Sequence, residues 1–237
     1  MARKRSNKTA KQEPHAKAAS AGGTALRERA VEALMALLAE QSFEQIGLAE
    51  IAGRASISLS ALRGEFGSVL AILAAHIKQI DRVVLDGDTA SDEDPARERL
   101  FEVLMRRLEA LAPYKGAVRS LLRSARRNPG LTLALNGMAV RSQHWMLTAA
   151  SINTTGPRGA IRAQGLAVLF ARVVAVWIDD DEPGLDRTMA ALDRALASGE
   201  RWSGFVDDLC CIPAAILRGC GRRRRPAAEG AAEADAA

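Results

Sequence analysis

Aromatic residues are scarce in this sequence, and a strand-like pattern is missing. Phe, Trp and Tyr together make up 4% of the 237 residues, and no alternating run of Val, Ile, Thr or Tyr is bounded by hairpin turn residues. Ala, Leu and Arg are abundant instead. The sequence therefore predicts an all-α protein, and its length allows a small helical domain joined to a larger one.

Residues that carry out chemistry are also few. The three cysteines cluster at 210–220 without the paired spacing of a zinc site. His15, His76 and His144 lie far apart and are expected to be one disordered, one surface and one half-buried histidine. No nucleophile–base pair, phosphate loop or metal set appears, and the acidic run 179–182 is interpreted as a helix start. We expect no catalytic site, metal or cofactor, and free thiols in a bacterial cytoplasm.

A long apolar run free of charge is absent as well. The basic start continues into Ala, Gly and Ser, which does not resemble a signal peptide. The most apolar stretch, 160–178, contains Arg162, Gln164 and Arg172, which are costly in hydrocarbon, so it is interpreted as a core helix. Membrane contact is not favoured, although an apolar segment at 202–217 ahead of four arginines is compatible with surface docking.

Positive charge is concentrated at the two ends of the chain. The net charge is +5, and residues 1–20 carry six Lys and Arg side chains against a single Glu. Such an arm suits nucleic acid, because counterion release favours cations near phosphate, although it can also serve only solubility. Arg3, Lys4 and Arg5 are therefore candidate DNA contacts.

Composition predicts four regions along the chain. Residues 1–22 are polar and basic and are expected to form a disordered arm. A small helical domain with a connecting helix is expected over 23–85. After an Asp- and Gly-rich loop, a larger helical domain is expected over 95–210, and a low-complexity tail over 218–237.

The small domain contains a helix-turn-helix pattern. Two short helical pieces, 48–54 and 59–66, are separated by a tight turn, and Ser58 is placed to cap the second. In such a unit the first helix braces the second, whose N-terminal side chains reach base edges in the major groove. Ala52 permits close helix crossing, while Leu62 and Phe66 form the inner face of the second helix.

This pattern, over roughly 26–73, resembles the tetracycline-repressor (TetR) family of transcriptional regulators. The residues in family-like positions are Phe43, Ile51, Ala52, Ala55, Ile57, Ser58, Leu62, Phe66 and Ser68. The resemblance implies an all-α, TetR-like fold with an N-terminal three-helix DNA-binding domain and a C-terminal helical bundle for dimerisation and ligand binding. Ser56, Arg63 and Val69 stand where the family usually has Gly, Tyr and Lys.

The resemblance points to Ser58, Ser60 and Arg63 as DNA contacts. Arg63 can replace a phosphate contact, because a guanidinium pairs with two phosphate oxygens. Val69 cannot, so we expect the basic arm to compensate. The alternative for these residues is that Ser58 only caps the helix and the other two are solvated.

The second half carries another resemblance. Residues 113–115, 177–180 and 188–194 are similar to those of the lipid-binding accessory proteins of coenzyme Q biosynthesis, a family that shares the TetR-like fold. Four large side chains here are candidates to line an apolar ligand pocket, although core packing explains them equally well: Trp145, Met146, Phe170 and Trp177.

Two hypotheses for the function follow. The leading one is a homodimeric transcriptional regulator, not an enzyme, that binds DNA and is controlled by an apolar small ligand, with helices at 158–178 and 183–197 pairing across the two-fold axis. The alternative is an accessory protein that binds a lipid or isoprenoid rather than DNA.

Overall fold

Helices connected by short turns make up the computed structural model, which describes residues 13–87 and 93–198. The prediction of an all-α protein is confirmed for these residues. The α-helices are α1 (Glu13–Glu40), α2 (Leu48–Arg54), α3 (Leu59–Glu65), α4 (Val69–Leu85), α5 (Ala96–Leu111), α6 (Lys115–Ala125), α7 (Pro129–Ala149), α8 (Gly156–Trp177) and α9 (186–198). Short 3-10 helices cover Phe43–Gln45 and Ala112–Tyr114.

The first helix begins earlier than the sequence suggested. α1 starts at Glu13, so 13–22 are helical rather than the end of a disordered arm. Alanine is the strongest helix former, and four alanines in 16–21 outweigh the two glycines that follow. A helix already fixed by packing further along also extends at a low cost per residue. Residues 1–12 lie outside the described ranges.

An N-terminal core forms where α1 to α4 meet. Its buried side chains include Leu34 and Leu38 of α1, Ile51 of α2, Leu62 of α3 and Ile72 of α4. The residues of α1 recur every three or four positions, which places them on one helix face. The short α2 and α3 therefore depend on this shared core for their positions.

A C-terminal core forms between α4, α5, α7, α8 and α9. Leu104, Met146, Phe170, Trp177 and Leu192 are among its buried side chains. α8 is long and apolar enough to cross a membrane by length and composition. Eight of its residues are nevertheless buried by packing, which fits the prediction of a core helix.

The helix α4 belongs to both cores. Ile72 and Leu73 near its start pack in the N-terminal core, whereas Ile80 and Val84 near its end pack in the C-terminal core. A displacement of α4 in one core is therefore transmitted to the other core.

Candidate nucleic-acid interface

The turn between α2 and α3 is closed by its backbone. The Ile57 N–H donates to the Ala52 carbonyl oxygen at 3.0 Å, and Ser56 between them has a φ of 53°. Glycine adopts this left-handed conformation freely, whereas other residues adopt it at a cost in free energy. Ser56 therefore occupies the position where the family resemblance implies glycine, in the conformation that favours glycine.

The first turn of α3 is capped by hydroxyl groups. The Ala61 N–H donates to Ser58 Oγ at 3.1 Å, which confirms the predicted capping role of Ser58. The Ser60 hydroxyl oxygen lies 3.0 Å from Ser58 Oγ, so the two hydroxyls share a hydrogen bond. These contacts fix the start of α3 immediately after the turn.

The inner face of α3 is held against the N-terminal core. Leu62 and Phe66 are buried there. Arg27 of α1 reaches across, forms an ion pair with Glu65 at 2.7 Å and places its guanidinium 5.9 Å from the centre of the Phe66 ring. Packing and charge together hold the end of α3 on α1.

The outer face of α3 is open to solvent. Leu59, Ser60, Arg63 and Gly64 are exposed on it. Arg63 forms no hydrogen bond or ion pair with any residue that the structure describes. The outer face therefore presents a guanidinium, a hydroxyl and one apolar side chain to any partner.

α2 is braced by polar contacts with the end of α1. Arg54 donates to both carboxylate oxygens of Glu40, at 2.9 and 2.6 Å, and these hydrogen bonds lower the pKa of Glu40. Gln41 Nε2 donates to Glu50 Oε1 at 2.7 Å. The bidentate geometry fixes direction as well as distance, so α2 has a defined orientation for supporting α3.

The end of α1 is also joined to α6. The Ser120 hydroxyl donates to the Gln41 carbonyl oxygen at 2.8 Å, and Ser124 Oγ accepts from the Phe43 N–H at 3.2 Å. A cavity of about 450 Å³ opens beside these contacts, lined largely by polar side chains, among them Arg123 and Arg127. A shift of α6 would thus reach the helices that brace α3.

The structure describes three of the six predicted DNA contacts. Ser58, Ser60 and Arg63 are brought together on exposed positions at α3, while Arg3, Lys4 and Arg5 lie outside the described residues. Val69 is half-buried against the N-terminal core, so a residue without charge is used here for packing. Sequence reasoning gave no role to Leu59, whose exposure depends on how far the neighbouring helices reach.

Of the four predicted ligand-lining residues, three lie in one core and the fourth does not join them. Met146, Phe170 and Trp177 fill the C-terminal core, whereas Trp145 is 53% exposed. Neighbouring helical residues point about 100° apart, so Trp145 and Met146 cannot face the same interior. The two described cavities are lined by other residues.

A polar cluster is buried in the C-terminal core. Asp81 of α4 forms an ion pair with Arg107 of α5 and accepts from the Ser142 hydroxyl at 2.6 Å. The Arg107 guanidinium stands 5.6 Å from the centre of the Phe170 ring. The pair is thus hydrogen-bonded within the C-terminal core and, with Ser142 and Phe170, joins α4, α5, α7 and α8.

His76 lies close to this cluster and is buried rather than exposed or half-buried. Its ring contacts Tyr114 edge-on at 4.5 Å, and neither ring nitrogen has a hydrogen-bond partner among the described residues. Burial, together with the charge of Arg107, lowers the pKa of His76 to about 4. The folded protein therefore holds His76 neutral at pH 7.

Residues that carry the second sequence resemblance form a corner between α8 and α9. Lys115 donates to the Asp180 carbonyl oxygen at 2.6 Å and to Asp181 at 2.9 Å, and its ammonium stands 5.7 Å from the Trp177 ring centre. Asp180 accepts from the Thr188 N–H and hydroxyl. The two Asp180–Thr188 hydrogen bonds stabilise the first turn of α9. The helix begins at 186, so the acidic run precedes it rather than forming its start as expected.

No protein-family model matches the chain, and no curated protein was found to match it. Solved structures do match. A TetR transcriptional regulator from Nitrosomonas europaea has a TM-score of 0.57 and 22% identity, over 73% of this chain and 97% of that one. A TetR transcriptional regulator from Rhodococcus sp. RHA1 has a TM-score of 0.55 and 19% identity, over 74% and 96%. A TetR-family regulator from Streptomyces coelicolor has a TM-score of 0.52 and 15% identity, over 81% and 88%. The TetR-like fold expected from the sequence is confirmed.

Proposed function

We propose that this protein is a dimeric transcriptional regulator that binds DNA through α3. The observation that carries the proposal is the outer face of α3, where Ser60 and Arg63 are exposed on a helix whose inner face is fixed to α1. The structural neighbours are described as transcriptional regulators, which supports the same function by analogy of fold.

α3 acts as the recognition helix in this proposal. Its N-terminal residues enter the major groove, while Arg63, one turn further, pairs with phosphate oxygens. The ion pairs of Arg54 and Arg27 keep the helix in one orientation, so little conformational entropy is lost when it binds DNA. The basic residues 3–5 add phosphate contacts that carry no sequence information.

A second copy of the chain completes the binding unit. Ile161 and Val168 lie seven residues apart on one face of α8 and are exposed, as is Leu133 on the adjoining α7. Asn136 and Gln164 join these two helices by reciprocal side-chain hydrogen bonds at 3.1 and 3.0 Å. This apolar face is suited to self-association across a two-fold axis, which presents two α3 helices to two half-sites about 34 Å apart.

Regulation follows if a small ligand favours one arrangement of the dimer over another. α4 links both cores, and the hydrogen bonds of Ser120 and Ser124 link α6 to the end of α1. A ligand that shifts these helices changes the spacing of the two α3 helices. The apolar ligand predicted from the sequence would enter the C-terminal core, where Met146 and Phe170 are buried, by displacing side chains of that core.

The alternative, a lipid-binding accessory protein, is not supported by the solved structures that match the chain, which are described as transcriptional regulators. The residues behind that resemblance, among them Lys115, Trp177 and Asp180, are engaged in the corner between α8 and α9. Their contacts give them a structural role.

The test is the binding of the full chain to duplex fragments from its own upstream region, titrated with salt. We expect fragment-selective binding, and Arg63→Ala should weaken it and reduce the salt slope by about 1 for each bound protomer. Arg126→Ala, an exposed arginine at the C-cap of α6, is the matched control and should leave the slope unchanged. Non-selective binding that disappears on deletion of residues 1–12 would contradict the proposal.

A further inference from the structure

Leu59 is a large apolar side chain on the outer surface of α3. It is the first residue of that helix and is 55% exposed. Within the part of the chain that the structure describes, the exposed large apolar side chains are Leu59, Val83, Leu133, Trp145, Ile161 and Val168, at 43% exposure or more. Of these, Leu59 alone lies in α1 to α3.

Helix geometry explains why Leu59 is not covered. It lies at the border of the outer face, between Arg63 and the inner row of Leu62 and Phe66, one turn before the point where the N-terminal core reaches α3. It also lies four residues before Arg63, so the two side chains are neighbours on the helix surface. Leu59 therefore occupies the N-terminal end of α3, next to its exposed guanidinium.

The chemical groups around Leu59 limit the kind of base contact that this end of α3 can make. Ser58 Oγ already accepts from the Ala61 N–H, and the hydroxyls of Ser58 and Ser60 bond each other, so part of the hydrogen-bonding capacity at this end is used within the protein. Leu59 offers only apolar surface. In the major groove, the apolar feature of a base pair is the C5-methyl group of thymine, which apolar side chains contact.

We propose that Leu59 packs against a thymine methyl group and sets a preference for an A·T pair at one position of each half-site. This inference rests on the proposed function, since it requires α3 in the major groove. Packing removes both apolar surfaces from water, and it discriminates against any base pair that lacks the methyl at that place.

The test compares thymine with deoxyuridine, which lacks the methyl and keeps the same base pairing. The full chain first selects binding sequences from a random duplex library. Each thymine of a selected duplex is then replaced singly by deoxyuridine, and affinity is measured by fluorescence anisotropy. We expect one thymine in each half-site where the replacement weakens binding about fourfold, the size expected for one buried methyl group.

Substitutions of Leu59 test whether its side chain causes the preference for thymine over deoxyuridine. Leu59→Ala should bind the thymine and deoxyuridine duplexes equally, whereas Leu59→Met should keep the preference. Val83→Ala is the matched control, because Val83 of α4 is also 55% exposed, and it should keep the preference too. Circular dichroism checks that each variant is folded, which is expected because neither side chain is buried.

The outcomes separate the two proposals. Enriched duplexes without a methyl-sensitive thymine, or methyl sensitivity that survives in Leu59→Ala, would overturn the role of Leu59 alone. The failure of the library to yield any enriched duplex would overturn the proposed function, and this inference with it.

Discussion

Ser56 holds the turn before α3 in a left-handed backbone conformation, with a φ of 53°. Replacing it by glycine should raise the free energy of unfolding by about 0.5–1 kcal/mol, because glycine adopts positive φ without the steric cost that other residues incur. Urea denaturation of the wild type and Ser56→Gly measures the difference.

Ser60→Gly provides the opposite control for this prediction. Ser60 lies inside α3, where glycine is expected to lower stability by about 0.5 kcal/mol because of its backbone entropy. A Ser56→Gly variant no more stable than the wild type would show that the turn does not strain Ser56.

His76 should make stability depend on pH in the weakly acidic range. Burial lowers its pKa to about 4 in the folded protein, whereas an unfolded histidine has a pKa of about 6.5. The unfolded chain therefore binds a proton first as the pH falls, so stability is full above about pH 6.5 and decreases towards pH 4. By pH 5 the loss should be about 2 kcal/mol.

Denaturation curves at pH 7.5 and pH 5 measure this loss. Carboxylates also titrate in the acidic range, so His76→Phe serves as the reference, and the pH 5 loss should be about 2 kcal/mol smaller in that variant. Equal pH dependence in the wild type and His76→Phe would contradict the prediction.

At the scale of single residues, helix capping could be predicted from the sequence, whereas the exposure or burial of individual side chains could not. The cap at Ser58 follows from residue type and spacing. The exposure of Leu59 and the burial of His76 depend on where neighbouring helices reach, which a single sequence does not specify. The same reason explains why Trp145 was placed with Met146 although it lies on the surface.

At the scale of elements, the buried ion pair joins helices that are distant in sequence. Replacing Asp81 by leucine should lower the free energy of unfolding by about 3–5 kcal/mol, because it leaves the Arg107 charge buried without its carboxylate. The double variant Asp81→Leu with Arg107→Met should recover most of that loss, since no charge then remains in the core.

Chemical denaturation of the four proteins in this cycle gives the coupling between the two residues. A double variant as unstable as Asp81→Leu alone would mean that the helices need the pair for their geometry. A loss below about 1 kcal/mol in the single variant would mean that water reaches Arg107.

The start of α7 could be predicted from its turn residues, whereas the continuity of this helix through Asn136 and Gly137 could not. Asn128, Pro129 and Gly130 are residue types that mark the start of a helix, and Asn128 caps α7 by accepting from the Leu131 N–H at 3.0 Å. Asn136 and Gly137 have low helix propensity and would favour an interruption, yet α7 is continuous. The hydrogen bonds between Asn136 and Gln164 and packing on α8 outweigh the low helix propensity of these two residues.

At the scale of the whole molecule, self-association is the property to test. Val168→Arg places a charge on the exposed apolar face of α8, which would be buried without a partner in the proposed dimer. We expect sedimentation equilibrium to show a dimer for the wild type and at least a tenfold weaker association for Val168→Arg.

Val83→Arg is the matched substitution outside that face, since Val83 lies on α4 and is at least as exposed as Val168. It should leave the association constant unchanged. A wild type that is monomeric at micromolar concentration, or a Val168→Arg variant that associates normally, would remove α8 from the proposed dimer interface.

The passage of α4 through both cores has a consequence for folding. Its first half packs in the N-terminal core and its second half in the C-terminal core, so melting it exposes both cores to water at once. Cooperative units of this kind unfold together. A small recognition unit that would be marginal alone is thereby kept folded by the rest of the chain, and slow hydrogen exchange should extend along α4 without a step at its midpoint.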